Sequence, residues 1–216
     1  TLELIGSLHV GSGGGGRLIE SESQTDATLV RDSRGRPYIP GSSLRGVLRA
    51  AIGQFAPAVF GDRAAVTIRQ DEQLPDRRQI DEAVLEAQER AGAELLDAEA
   101  ELQNQLTALL SPAERLFGTV YWSSPLFIPD LHLVERTRGV AGEIRHGVGI
   151  DRDTGAAREA IKYEFEVLPA GACFQFLMRC DIPEQPAAYE LTWTRLLALG
   201  LRLLEQGELT LGGRLA

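Results

Sequence analysis

Along the chain the pattern of apolar and polar positions switches repeatedly between strand-like and helix-like periods. Leu2 to Val10 reads as a strand, and a second strand-like stretch covers Ala27 to Val30. From about Ser42 to Phe55 the period becomes helical, with Leu44, Leu48, Ala51 and Phe55 on one stripe that can bury the helix in a core. The longest periodic run is mostly polar. Ile80, Val84, Ala87, Ala91, Leu95, Ala98, Leu102, Leu106 and Leu109 recur at a mean spacing of about 3.6 residues, one narrow packed stripe on an otherwise wet helix. Gly92, a poor helix-interior residue, predicts a break near Ala91-Gly92 into two helices. Ser111-Pro112 marks the next helix start, with proline in the first turn. Strands are expected near Val120, Phe127 and Leu131, then at Ile161 to Val167 and Cys173 to Arg179, before a helix from Ala188 to Glu205. The order predicts an α+β fold with mostly antiparallel pairing.

The sequence of 216 residues, 44% hydrophobic and 25% charged, fits one globular domain over 1–216 with a real core. A membrane span is excluded at its best candidate, Leu191 to Leu204, by Arg195 and Arg202. With no charged-then-apolar leader the expectation is a cytoplasmic protein, and with no initiator methionine a piece of a longer or fused polypeptide. Cys173 and Cys180 fall in one strand-like run on opposite faces and read as reduced core residues. No Cys-x-x-Cys and three scattered histidines argue against zinc.

The net charge of −9 is at odds with polyanion binding until its distribution is considered. Eleven acids against three arginines between Gln70 and Gln105 place −8 in that segment, whereas Arg31 to Arg49 carries +4. The chain is therefore expected to be polarised, with a basic groove and an acidic element held away from it; charges simply dispersed over a soluble surface are the alternative.

The basic window, Val30 to Arg49, packs Arg31, Arg34, Arg36, Arg45 and Arg49 around Asp32. Asp32-Ser33-Arg34-Gly35 has Asp first and Gly fourth, as in a type I turn, and Pro37 and Pro40 forbid a helix before Gly41. Ser42 or Ser43 can then cap the helix, whose unpaired N–H groups make an anion site, with Arg45 and Arg49 on one face. The plainer reading is a solvated turn leading into an ordinary capped helix. Gly11 to Gly16 contains a literal G-x-G-x-x-G, but Arg17 to Asp26 has no helical stripe for a dinucleotide fold and no Gly-Lys-Ser/Thr follows. The run is either a flexible turn or bare backbone, at Gly13 and Gly14, approaching a phosphate.

Arg-Asp followed by Gly-Arg-Pro-Tyr-Ile-Pro-Gly-Ser-Ser-Leu-Arg-Gly (Arg31 to Gly46) resembles the hallmark segment of the RAMP superfamily, RNA-binding proteins of CRISPR effector complexes, and is most similar to the backbone subunits of type III complexes. Leu8 to Gly14 resembles the family's first strand and glycine turn, Glu114 to Gly118 its Leu-Phe-Gly step, and Gly149 to Ala157 with Glu166 to Gly171 its thumb hairpin and the strand after it. Leu209 to Ala216 resembles the start of its C-terminal glycine-rich loop; about Arg63 to Leu110 shows no match. The resemblance implies a ferredoxin-like, RRM-like antiparallel sheet with a β-hairpin thumb at about 135–165. The acidic helical insertion at about 63–110 is expected to contact a neighbouring subunit.

It further implies a subunit that binds guide crRNA and cleaves the paired target RNA, an endoribonuclease with neighbouring RAMP subunits as partners and no membrane. Asp32 matches the catalytic aspartate of those subunits. Its neighbouring arginines would keep it ionised, which suits holding a divalent cation, Mg2+ in this reading. A structural, turn-capping role for Asp32 is the alternative, and with it a non-catalytic scaffold. A crRNA-processing endoribonuclease is a further one, but it calls for a histidine-containing site that is not located. The RNA-binding residues expected are His9, Gly13, Gly14, Arg31, Arg34, Ser42, Ser43, Arg45 and Arg49, with Ile150 as an apolar wedge and Arg152 as a phosphate contact on the thumb. His132 reads as a strand surface residue and His146 as a weak thumb contact; Trp122 and Trp193 read as core or interface residues.

Overall fold

Backbone pairing between short strands builds the sheets of this molecule. The computed structural model describes residues 1–11, 27–70, 73–74, 77–91, 95–150, 157–182 and 188–212. Two units divide the chain, one of Thr1–Leu44, Ile128–Leu177 and Thr210–Ala216, the other of Arg45–Phe127 and Met178–Leu209.

In the first unit, β1 (Leu2–Glu3) pairs antiparallel with β7 (Cys173–Phe174), and β2 (Tyr38–Ile39) with β4 (Leu131–His132). A bridge between Leu133 and Phe174 joins these pairs, as do hydrogen bonds from the Val134 N–H to the Cys173 carbonyl (2.9 Å) and from the Gln175 N–H to the His132 carbonyl (2.8 Å). The linked order is β2, β4, β7, β1. A long hairpin, β5 (Glu143–Ile150) and β6 (Ala157–Val167), adds a separate antiparallel pair. Ile39, Leu131, Val167, Cys173 and Phe174 of these strands are buried and form part of a core.

The second unit is mainly helical. Here α1 (Gly41–Phe60) continues past its first turn, followed by α2 (Arg63–Val66), α3 (Arg77–Ala91), α4 (Leu95–Leu109), α5 (Pro112–Phe117) and α6 (Ala188–Glu205). Strands β3 (Leu126–Phe127) and β8 (Arg179–Cys180) pair antiparallel. α3 and α4 pack on each other; the break expected at Gly92 lies outside the described residues. A reciprocal capping box starts α5: the Glu114 N–H donates to Ser111 Oγ at 3.1 Å and the Ser111 N–H to Glu114 Oε2 at 2.8 Å. Glu114 is fully buried and also takes the Arg69 guanidinium through both oxygens, at 2.8 Å each.

Several expectations need correction. The strand from Leu2 to Val10 is interrupted at Ile5-Gly6, with Ile5 exposed: Leu2 to Leu4 pair with the Gly171 to Phe174 segment, and beyond the break Leu8 bridges Leu168 and the Val10 carbonyl accepts the Val30 N–H. No strand forms at Val120: Thr119 and Trp122 bridge across a tight turn whose tip is Val120, 69% exposed. The run Cys173 to Arg179 is two short strands in different sheets, so the two cysteines are not opposite faces of one strand. Phe55 lies off the packed stripe of α1, which is Leu44, Leu48, Ala51, Ile52 and Ala56. That helix also runs on through Pro57 to Phe60.

Candidate RNA-binding site

A three-residue hairpin loop organises the first group of candidate residues. Arg31 and Pro37 bridge, the Asp32 N–H donates to the Arg36 carbonyl at 2.8 Å, and the Gly35 N–H donates to the Asp32 carbonyl at 2.9 Å. Gly35 closes this turn with φ of +74°, a conformation that glycine adopts without Cβ strain.

Asp32 is the lock of the loop. Its Oδ1 accepts the N–H groups of Arg34 and Arg36, each at 2.9 Å, and its Oδ2 accepts Arg36 Nε at 3.0 Å and Nη2 at 2.8 Å. The Arg36 backbone and side-chain hydrogen bonds lower its pKa from 3.8 to about 2. The carboxylate is thus ionised, as expected, but saturated with N–H donors. A divalent cation such as Mg2+ requires several free oxygen ligands. Those of Asp32 are engaged, and among the described residues there is no group of three or more His, Cys, Asp or Glu that could complete a cation site. The donor set does not fit the metal.

Glu166, on β6, is a residue that sequence reasoning missed. Its carboxylate takes the Arg31 guanidinium and, through Oε2, the Leu29 N–H at 3.1 Å. The other arm of Arg31 donates to the Gly35 carbonyl at 2.8 Å. His9 donates from Nδ1 to the Glu166 carbonyl at 2.6 Å. His9 and Arg31 therefore converge on Glu166, one by its backbone and one by its side chain. Arg31 is consumed in bracing the loop, whereas the exposed Arg34 side chain has no partner among the described residues. Only tertiary pairing reveals Glu166; in the sequence it is one of two acids, with Glu164, in the same strand-like run.

The helix start differs from expectation. Its first N–H, on Gly41, donates to Asp130 Oδ1 at 2.9 Å, and the Pro40 carbonyl accepts from Ser43 and Leu44. Ser42 and Ser43 sit within the first turn and neither caps it. The reason is steric: a Cβ on Gly41 would lie 2.0 Å from the Ile128 carbonyl oxygen, so the chain enters the helix pressed against the segment that carries Asp130. A built-in carboxylate already occupies part of the positive end of the helix.

Arg45 and Arg49 lie in the second unit, where they line an open cleft of about 480 Å3 with Phe117, Thr119, Trp122, Ser123 and Ser124. Each is tethered to a backbone carbonyl, Arg45 to Phe117 and Arg49 to Arg69 at 3.4 Å. Arg69 is in turn fixed by the buried Glu114. Burial, and after it the nearby Arg49 charge, push the Arg45 pKa below its ordinary value.

On the thumb, the backbone of Ile150 pairs with Ala157. Arg152, Gly13 and Gly14 lie outside the described residues. His146 is exposed on β5 and its Nδ1 lies 3.1 Å from Glu164 Oε1; His132 is exposed beside Tyr38. Trp193 is buried, and Trp122 is half-buried at the cleft. Among the described residues no helix is long and apolar enough to cross a membrane.

No curated protein matches the chain. One family model does, that of the RAMP superfamily, and it spans residues 1–216. The match takes in the basic loop, the hairpin and the arginine cleft alike, and the chain accordingly belongs to the RAMP superfamily, CRISPR-associated proteins that bind RNA.

Proposed function

We propose that this chain is a backbone subunit of a type III CRISPR ribonucleoprotein and grips guide RNA by its phosphates, through Arg45 and Arg49 in the cleft and Arg34 on the basic loop. One observation carries the reading: two guanidinium groups a helical turn apart, each tethered to a backbone carbonyl, face one open cleft lined by the hydroxyl residues Thr119, Ser123 and Ser124. Planar, forked donors that cannot lose their charge suit phosphate oxygens. Contacts of this kind position an RNA backbone without reading its sequence, which the guide supplies by pairing. Target RNA and neighbouring RAMP subunits are the partners in this reading. The fold it assigns is ferredoxin-like, with Glu143–Val167 as the thumb; the antiparallel pairing of β2, β4, β7 and β1 supports it.

Cleavage of the paired target at Asp32 is the competing reading. In its favour Asp32 is ionised at every physiological pH. Against it, both oxygens are committed to Arg34 and Arg36, so a metal or a proton would have to displace a bidentate arginine. The geometry favours a scaffold in which Asp32 orders the basic loop. The test is Asp32→Ala in the assembled particle. The scaffold reading expects target cutting to stay within twofold of the parent; loss of cutting with RNA binding retained would transfer Asp32 to the enzyme reading.

A further inference from the structure

A second cavity shares a wall with the arginine cleft: Trp122, Ser123 and Ser124 line both. It holds about 570 Å3, in the ~300–1,000 Å3 range of small-molecule sites. Leu102, Leu106, Tyr121, Pro125 and Trp193 give it aliphatic and aromatic walls. Trp193 is buried and fixed, its indole N–H donated to the Pro112 carbonyl at 2.7 Å, so it is part of the floor. Tyr121 and Trp122 are only half-buried and supply accessible ring surface. Asp181 and Glu190 also line the cavity. Asp181 pairs with Arg179 at 3.2 Å and Glu190 is largely buried.

These walls differ in chemistry from the neighbouring cleft. No cation is among the residues that line it, Asp181 is neutralised by Arg179 and Glu190 is largely buried, so an RNA backbone is drawn to Arg45 and Arg49 rather than into the second cavity. A nucleobase is uncharged and stacks on aromatic rings irrespective of its identity. We propose that this cavity receives a single unstacked base of an RNA strand whose phosphate rests on Arg45 and Arg49, with Trp122 standing between backbone and base. The proposal rests on the phosphate grip argued above and adds to it the place where one nucleotide leaves the stack.

The test compares a single-stranded RNA decamer with an abasic ribose-phosphate decamer of equal charge, both titrated into the full chain. The wild-type protein is expected to bind the base-bearing strand about tenfold more tightly, the scale of one stacked base. Trp122→Ala removes that preference and Trp122→Phe, which keeps a ring in place, retains most of it. Near-ultraviolet circular dichroism confirms that each variant is folded. Equal affinity of the wild-type protein for the two strands overturns the proposal and hands the cavity to a side chain of a neighbouring subunit. A preference that survives Trp122→Ala overturns it too. Arg49→Ala separates this outcome from failure of the phosphate grip: it should weaken both strands alike, and if it weakens neither, the grip itself is wrong whatever Trp122 does.

Discussion

Asp32 and Arg36 are joined edge to edge, two guanidinium nitrogens, Nε at 3.0 Å and Nη2 at 2.8 Å, meeting the same carboxylate oxygen. With the two N–H groups on the other oxygen, this accounts for a carboxyl pKa lowered from 3.8 to about 2. A group whose pKa falls on folding stabilises the native state above its unfolded value and loses that contribution as pH drops through its folded value. The basic loop is therefore expected to keep its full stability above about pH 4 and to loosen between about pH 4 and pH 2. Titration of the Asp32 carboxyl by NMR checks it, with a midpoint near 2 expected; a midpoint at the ordinary aspartate value would show that the Arg36 bonds are not made in solution. Asp32→Asn should abolish the loop's own acid transition.

Arg31 and Arg34, three residues apart, are expected to behave differently. Arg31 is held by Glu166 and the Gly35 carbonyl, and the exposed Arg34 has no partner among the described residues. Arg34→Ala should weaken RNA binding and leave thermal stability unchanged. Arg31→Ala should lower the melting temperature and change the salt dependence of binding little. Measured side by side, a reversal of the two patterns would contradict the assignment of Glu166 as the brace of the loop.

Gly41 is pressed against the Ile128 and Pro129 carbonyls, with no room for a methyl group. Gly41→Ala, elsewhere a gain for a helix, should here cost about 1–3 kcal/mol, the usual range for overpacking. Chemical denaturation gives the value; a neutral or stabilising effect would mean that the helix start is not seated on that segment.

Breaking the buried pair under the cleft should be costlier. Glu114→Ala leaves Arg69 without its partner, and removing one member of a buried ion pair typically costs about 3–5 kcal/mol. Arg69 retains some exposure, so the lower end is expected. Because the Arg69 carbonyl tethers Arg49, the folded fraction of this variant should also bind RNA more weakly, measurable by anisotropy.

Local patterns carried part of the architecture. The buried stripe of α1 apart from Phe55, the Ser111-Pro112 start and the Asp32 to Gly35 turn depend on residues close in sequence, so periodicity and turn chemistry reveal them. What failed depends on distant partners. The helix from Gly41 is capped from Asp130, 89 residues away, and local serines could not predict that. Glu166 reaches Arg31 across 135 residues. Asp32 shows the limit most plainly: its charge state followed from the neighbouring arginines, but the commitment of both its oxygens followed only from the turn geometry.

The phosphate grip of Arg45 and Arg49 is tested most directly by the salt dependence of single-stranded RNA binding. Each phosphate neutralised by a side chain contributes to the slope of log K against log salt, about 0.7 for a single strand. Arg45→Ala and Arg49→Ala should each make the slope shallower by roughly that amount, and the double variant by about twice as much. Slopes identical to the parent in all three variants would contradict the account.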